Sequence, residues 1–398
     1  MTPLLGFLPD VDPTTPGAIT DCSQVIAYEA GLRTAPTVNT VGLPATDDDV
    51  RGAVLSLDLS ATGRFIVGTT TQLLEAAATS YTDISSATYN LGAEDRWSFA
   101  QFGDTVLAAT PTEKIQRSTG TAFADITAAP EVKIIEQSLG FVLAFDTDDG
   151  VDHDTDRWWC SAYLDETDWT PAVATQCTKG RLVSSPGPIV AAKRFGEDVI
   201  AYKGRSMYVG RYQGPPTVWA FGLVSFQVGC VGIDAVADTP IGHVFVGEDD
   251  IYLYDGTVPR SLALGQVKKW FNDNCNPTYR YKCKILSDRA NSLVWIFFPA
   301  AGSAECDSGL VFHTVSRKWG LADQDVSAVF QFTAPTWTYD AGSAIITTYD
   351  ALPSVAYDSP FWISGSPIPG VVGTDKVVKT LTADASDSYF VTGDIGDD

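Results

Sequence analysis

A chain of 398 residues with 45% hydrophobic, 11% aromatic and only 19% charged residues carries enough apolar surface for a large ordered core, which excludes a mainly disordered protein. A formal charge of -23 at pH 7 excludes a broadly basic nucleic-acid or anionic-membrane binder, because both need clustered Lys and Arg. The 34 Gly and 22 Pro, spread without a short period, predict many turns between short strands.

Residues 1–50 read as an arm in which Pro3, Pro9, Pro13, Pro16, Pro36 and Pro44 prevent continuous helix. The first ten residues have no basic segment, so no cleaved signal peptide is expected, and no run of about 18 apolar residues predicts a membrane anchor. Val25 to Tyr28 reads as a strand. A strand of this arm paired beside the last strands of the chain would close a ring and hide two sheet edges.

From Ala53 onward one feature returns, a Gly-centred or polar turn followed by a short apolar strand. It occurs at Gly63–Gly68, Phe102–Ala108, Leu139–Ala144, Phe195–Ala201, Ile241–Phe245, Asn291–Phe297 and Gly342–Ile346. The plan is clearest over Ser185–Leu262, where two successive units repeat the order strand, Gly or Asp turn, strand, turn, strand. The spacing approaches that of four-stranded propeller blades, roughly 40 to 50 residues. The reading is therefore all-β: a propeller of six or seven blades over residues 51–370, closed by the arm. Residues 371–398 hold a closing strand and the acidic tail Asp394–Asp398. A sandwich or a split, two-part β-domain is the alternative.

Trp169, Trp219 and Trp319 recur near the ends of units and are read as core between neighbouring sheets. Ser261 is placed to cap a short helix whose apolar residues Leu264, Val267, Trp270 and Phe271 share a face. That face docks on its own propeller or on the next subunit, which makes Trp270 and Phe271 the candidates for a contact between subunits. Tyr279–Lys284 alternates strictly, so as a strand it would place Arg280, Lys282 and Lys284 in one basic stripe, solvated or touching DNA phosphates or an acidic partner.

The run from Asp146 to Asp156 offers Asp146, Asp148, Asp149 and Asp152 as metal candidates. Its Gly150 and Arg157 sit at the wrong positions for a helix-loop-helix calcium site, so a solvated acidic loop is the simpler reading. Seven cysteines, odd in number and never spaced C-x-x-C, predict buried free thiols in a reducing compartment. His153, His243 and His313 lack any nucleophile-elbow, zinc or phosphate-loop context, so neither an enzyme nor a cofactor is expected.

Trp158-Trp159-Cys160-Ser161, Asp165, Trp169 and Pro171 resemble a W-S-x-x-x-D-x-x-x-W-x-P segment of tail proteins from short-tailed bacteriophages. Gly187, Ala201-Tyr202-Lys203, Met207–Gly210, Pro215–Phe221 and Gly229 are similar to the same group, whose members are called tail nozzle, tail hub or packaged-DNA stabilisation proteins. The resemblance implies a β-propeller protomer assembled as a homohexameric ring below the head-tail connector. It further implies tail-fibre, tailspike or tail-tip neighbours, genomic DNA passing the lumen without tight binding, and a place in the virion after synthesis in host cytoplasm. An extracellular propeller glycosidase or a carbohydrate-binding propeller is the alternative function.

Overall fold

The computed structural model describes residues 4–29, 31–59, 63–77, 79–332, 367–384 and 387–392. The repeat at Gly342–Ile346 and the acidic tail Asp394–Asp398 lie outside the described residues. The architecture is a seven-bladed β-propeller. Blade 1 consists of Val50–Leu57, Gly63–Thr69, Leu73–Ala76 and Tyr81–Asp83; blade 2 of Ser98–Phe102, Thr105–Thr110, Glu113–Ser118 and Ala124–Asp125. Blade 3 consists of Glu131–Ser138, Phe141–Asp148, His153–Cys160 and Thr178–Arg181; blade 4 of Ile189–Phe195, Asp198–Lys203, Met207–Gly214 and Val218–Ser225. Blade 5 holds Val236–Thr239, Gly242–Val246, Ile251–Tyr254 and Pro259–Ser261, and blade 6 holds Lys284–Asp288, Leu293–Phe298, Ser308–His313 and Lys318–Leu321. Blade 7 joins Ala328–Phe332, Ile368–Val372 and Val378–Asp384 to Pro36–Thr40 from the arm. Within each blade the strands pair antiparallel in chain order, apart from that last strand.

The second strand of a blade is covered on both faces by its neighbours, so it reads as an unbroken apolar run. Val142, Leu143, Ala144 and Phe145 of blade 3 are all fully buried, as are Val294, Trp295, Ile296 and Phe297 of blade 6. Apolar layers fill each junction. Ile66, Leu73, Trp97 and Val106 lie between blades 1 and 2. Phe141, Phe145, Trp158, Tyr208 and Trp219 lie between blades 3 and 4. Phe65 of blade 1 meets Phe330 and Phe332 of blade 7 at ring-centroid distances of 4.9 and 5.1 Å, so packing continues around the whole ring. Gly68 is required at the first junction, because a methyl group there would sit 2.3 Å from the Trp97 indole. Trp169, Trp219 and Trp319 are all buried, and all seven cysteines are buried free thiols.

The arm does more than close the ring. Gly6–Phe7 pairs parallel with Ala18–Ser23, which pairs antiparallel with Tyr389–Thr392 near the other end of the chain. Val25–Ala27, the strand expected from sequence, adds with Leu32–Thr34 to the outside of blade 6. Closure itself falls to Pro36–Thr40, which pairs with Val378–Asp384. Pro36 begins an outermost strand, a position where the missing N–H removes no ladder bond. Arm, propeller and closing segment therefore share sheets. The helix is shorter than expected, Lys268–Asn274, and Leu264 points to solvent. Ser261 Oγ instead accepts from the Leu264 N–H at 2.9 Å in a turn before the helix. Among the described residues no helix is long and apolar enough to cross a membrane.

Candidate functional site

The basic stripe expected over Tyr279–Lys284 is not a strand. Arg280–Lys282 forms a single 3-10 turn, and the strand begins only at Lys284. The turn points all three cations inward. Arg280 donates to the Glu248 carbonyl and lies 5.3 Å over the Phe271 ring. Lys282 pairs with Glu305 at 2.6 Å and Glu94 at 3.3 Å, and Lys284 pairs with Asp234 at 3.6 Å. Side chains at 9%, 8% and 2% exposure cannot form the expected grip on phosphates. The helix face of Trp270 and Phe271, expected on its own propeller or on the next subunit, packs within its own chain. Phe271 lies 5.2 Å from Phe298, and Trp270 meets Phe7 edge-on at 5.1 Å.

The acidic candidates are held by their own loop. Asp146 pairs with His153 at 2.7 Å, and Asp148 accepts from the Gly150 N–H at 2.8 Å. Asp149 accepts from the N–H groups of Val151 and Asp152 and pairs with Arg157 and Lys179. The Asp152 N–H first, then the Val151 N–H, Lys179 and Arg157, hold the Asp149 carboxyl well below the usual range. Burial pushes the Asp146 carboxyl up, partly offset by His153. The side chain of Arg157 is the loop's hub. It bonds Thr147 Oγ1 at 2.6 Å and the Asp152 carbonyl at 2.7 Å, so its own charge neutralises the loop from inside. Among the described residues no group of three or more His, Cys, Asp or Glu is arranged to hold a metal ion.

What the ring brings together lies on its axis. The first strands of all seven blades line a channel of about 700 Å³. Small residues, Gly52, Ala53, Ala192, Ala237 and Ala328, keep it open where the blades converge. Its wall is two-sided. Blades 7, 1 and 2 contribute the half-buried side chains of Val329, Val54 and Phe99 together with Gln331 and Ser98, whereas blades 3 to 6 and their connections contribute Glu136, Lys193, Asp234, Asp238 and Arg289 beside Ile233.

Each charge on that wall bridges to the next blade. Lys193 donates to Glu136 at 2.8 Å, Arg289 to Asp238 at 2.6 Å, and Asp234 takes the buried Lys284 from behind. Glu136 holds the Lys193 ammonium above the usual lysine range, against the opposing effect of burial. The Lys193 side chain is still 42% exposed, because it faces the water of the channel while protein surrounds it. Gln331 Nε2 donates to the Ser287 carbonyl at 2.6 Å, while the Ser287 hydroxyl has no partner within the protein. Sequence reading missed these residues. The weak signal was a mid-strand charge in otherwise apolar first strands, as in Ala191-Ala192-Lys193.

No protein-family model matches the chain, and no curated protein matches it. It is similar to the solved structure of YCF48 bound to D1 peptide, with a TM-score of 0.47 and 11% identity over 89% of this chain and 99% of that one. It is also similar to YCF48 from Cyanidioschyzon merolae, with a TM-score of 0.44 and 11% identity over 87% of this chain and 98% of that one. Neither is a bacteriophage tail protein. The reading as a tail nozzle or hub that retains and conducts ejecting DNA is corrected accordingly. Trp158, Trp159 and Trp169, which carried much of that resemblance, are core residues of blade 3 and its closing turn, and the expected DNA-contacting cations are internal. Blade punctuation of this kind marks an architecture and not a task.

Proposed function

We propose that the protein is a non-catalytic binding propeller whose axial channel receives a compact ligand bearing both charge signs and an apolar body, the chemistry of an amino acid or short peptide. The observation that carries this reading is the gathering of inter-blade ion pairs on one side of the wall, opposite a side that presents Val54, Phe99 and Val329. A channel of about 700 Å³ falls within the size range of small-molecule sites, which are largely apolar with a few placed polar groups. Lys193 and Arg289 each have N–H donors left after pairing. Turnover would need a nucleophile with its base or an unengaged acid and base, whereas the wall carboxylates each already serve a cation.

The test is a thermal-shift screen of amino acids and short zwitterionic peptides, followed by calorimetry on hits. A ligand at a hundred times its Kd stabilises the folded state by about 2.7 kcal/mol. The shift should vanish in Ala53→Trp or Val329→Trp, which fill the lumen. No ligand with a channel-dependent shift, or turnover of a hydrolase substrate that is lost on changing one wall carboxylate, would overturn the reading.

A further inference from the structure

The segment following the third strand of blade 3 builds a second feature, away from the axis. Leu164 is 65% exposed and Val173 62% exposed, and the rings of Tyr163 and Tyr212 are open at 47% and 37%. Pro171 is exposed beside them in sequence. Leu164 and Tyr163 both lie over Gly140, and the two tyrosines share one buried floor. Tyr163 and Tyr212 both pack on the buried ring of Phe141, at 5.3 and 5.6 Å. The Tyr212 hydroxyl donates to Gln176 Oε1 at 2.6 Å, and the Tyr163 N–H donates to the Thr175 carbonyl at 2.9 Å.

The patch is held rigidly and under strain. Leu164 adopts φ 57° and Gln176 φ 60°, the left-handed region that side-chain-bearing residues avoid. The Leu164 N–H is fixed in that state by the Gly140 carbonyl at 2.8 Å. A strained backbone that presents a leucine to water gains nothing from burial, and such outliers mark functional positions. Contiguous exposed apolar surface is in turn the mark of an interaction site.

The rim says what kind of partner fits. Asp165 and Asp168 border the patch, and their carboxylates accept from the local Thr167 and Thr170 and, for Asp165, from the Asp168 N–H, with no salt bridge to either among the described residues. Arg117, whose charge also reaches Asp165, is paired with Glu166 at 2.7 Å. A second copy of this chain would bring the same carboxylates and another formal charge of -23 against them. We infer that this face of blade 3, with Tyr212 of blade 4, docks a partner-protein segment carrying an apolar or aromatic anchor flanked by Lys or Arg. The carboxylates steer the flanks, and the anchor lies between Leu164, Val173 and the two tyrosines.

The experiment is a fluorescence-anisotropy titration of the whole protein with synthetic peptides in which one aromatic anchor is flanked by lysines or, as the control, by glutamates. The basic peptide should bind and the acidic one should not, with affinity falling as salt rises. Leu164→Glu and Val173→Glu should each weaken binding at least about tenfold, equivalent to about 1.4 kcal/mol, with unchanged melting because both side chains face solvent. Asp165→Asn with Asp168→Asn should remove the preference for basic flanks. Val329→Trp, which fills the axial channel, should leave peptide binding intact, so failure here and failure of the channel reading are separable. Binding of neither peptide, equal binding of both, indifference to Leu164→Glu, or loss on Val329→Trp overturns the inference. So does a concentration-dependent dimer in sedimentation that Leu164→Glu dissolves, which would make a second copy the occupant.

Discussion

Blade 5 and blade 7 have the same four-stranded plan but are assembled from very different distances along the chain. Blade 5 draws all its strands from residues 236–261, whereas blade 7 needs residues 328–332, 368–372 and 378–384 to meet residues 36–40. A local blade forms its contacts against little loop-closure entropy, but the seam forms only when both ends of the chain are ordered together. Every other junction inherits its order from the blade before it. The seam is where the ring becomes one cooperative unit, so perturbations there should be felt globally and those in a local turn should not.

Removing residues through Thr40 should produce the largest effect. It opens the edge of Val378–Asp384 and strips Val25–Ala27 and Leu32–Thr34 from blade 6. It also takes Phe7 from Trp270. The expected outcome is aggregation or loss of the cooperative thermal transition, read by calorimetry and circular dichroism. A soluble protein with unchanged melting would show that the ring holds without its seam.

A matched pair of glycine substitutions sharpens the comparison. At Gly320, beside the arm strand on blade 6, a Cβ would lie 2.2 Å from the Val25 carbonyl oxygen, while at Gly204, in a turn of blade 4, nothing lies within 4 Å. Gly320→Ala should destabilise by about 3 kcal/mol, because the backbone of the arm must move, and Gly204→Ala should stay within about 0.5 kcal/mol. Urea midpoints measure both. Equal effects would remove the distinction between a contact made across the chain by the arm and a local turn.

The same contrast explains what the sequence made legible. Gly103, Gly140, Gly196 and Gly242 mark the turn between the first and second strands of their blades, and the doubly buried second strand that follows announces itself as an apolar run. Those two signals reveal the blades because both are local. The closing strand was not visible as such, since Pro36–Thr40 is polar and half-exposed and its partner lies more than 330 residues away in a chain read one neighbour at a time. The channel was hidden for a related reason. Glu136, Lys193, Asp238 and Arg289 are ordinary charges in sequence, and only the packing of neighbouring blades turns them toward one another. Arg280, Lys282 and Lys284 failed in the opposite sense. Alternation over six residues suggested a strand, but one tight turn at Tyr279–Cys283 sends each cation to a different internal partner.

At the junction of blades 4 and 5, His243 accepts from the Tyr202 hydroxyl at 2.9 Å and donates to the Arg194 carbonyl at 2.8 Å. Burial pulls its pKa down from 6.5 to about 4, with the Arg194 carbonyl and Asp238 opposing and Lys193 assisting. The folded state therefore resists protonation that the unfolded chain accepts. Stability from this group is complete above pH 6.5 and drains as the pH falls toward 4, by about 3 kcal/mol in all. Unfolding free energies measured across that window should slope in the native protein and slope less in His243→Gln. Identical slopes would mean that His243 does not titrate with unfolding, and the local junction would lose its claim to acid sensitivity.

The smallest expected effect tests a contact between the arm and the body that leaves the seam strands untouched. The helix Lys268–Asn274 begins at Val267, which supplies no side-chain cap. Asp10 of the arm takes that role from a distance, its two carboxylate oxygens accepting from the N–H groups of Lys269 at 2.5 Å and Trp270 at 2.8 Å. Both N–H groups lack carbonyl partners within so short a helix, and a carboxylate there also meets the positive end of the helix dipole. Asp10→Ala should then cost about 1 kcal/mol, and Asp10→Asn less, because the amide oxygen keeps one acceptor. The loss should shrink in a Lys269→Pro background, because proline removes one of the two backbone N–H donors that Asp10 accepts from and is tolerated in the first turn of a helix. Chemical denaturation of the four proteins in the cycle would read the coupling. A coupling near zero with an intact Asp10→Ala loss would place the carboxylate's contribution in the arm itself, and the arm would then be tied to the body through its strands alone.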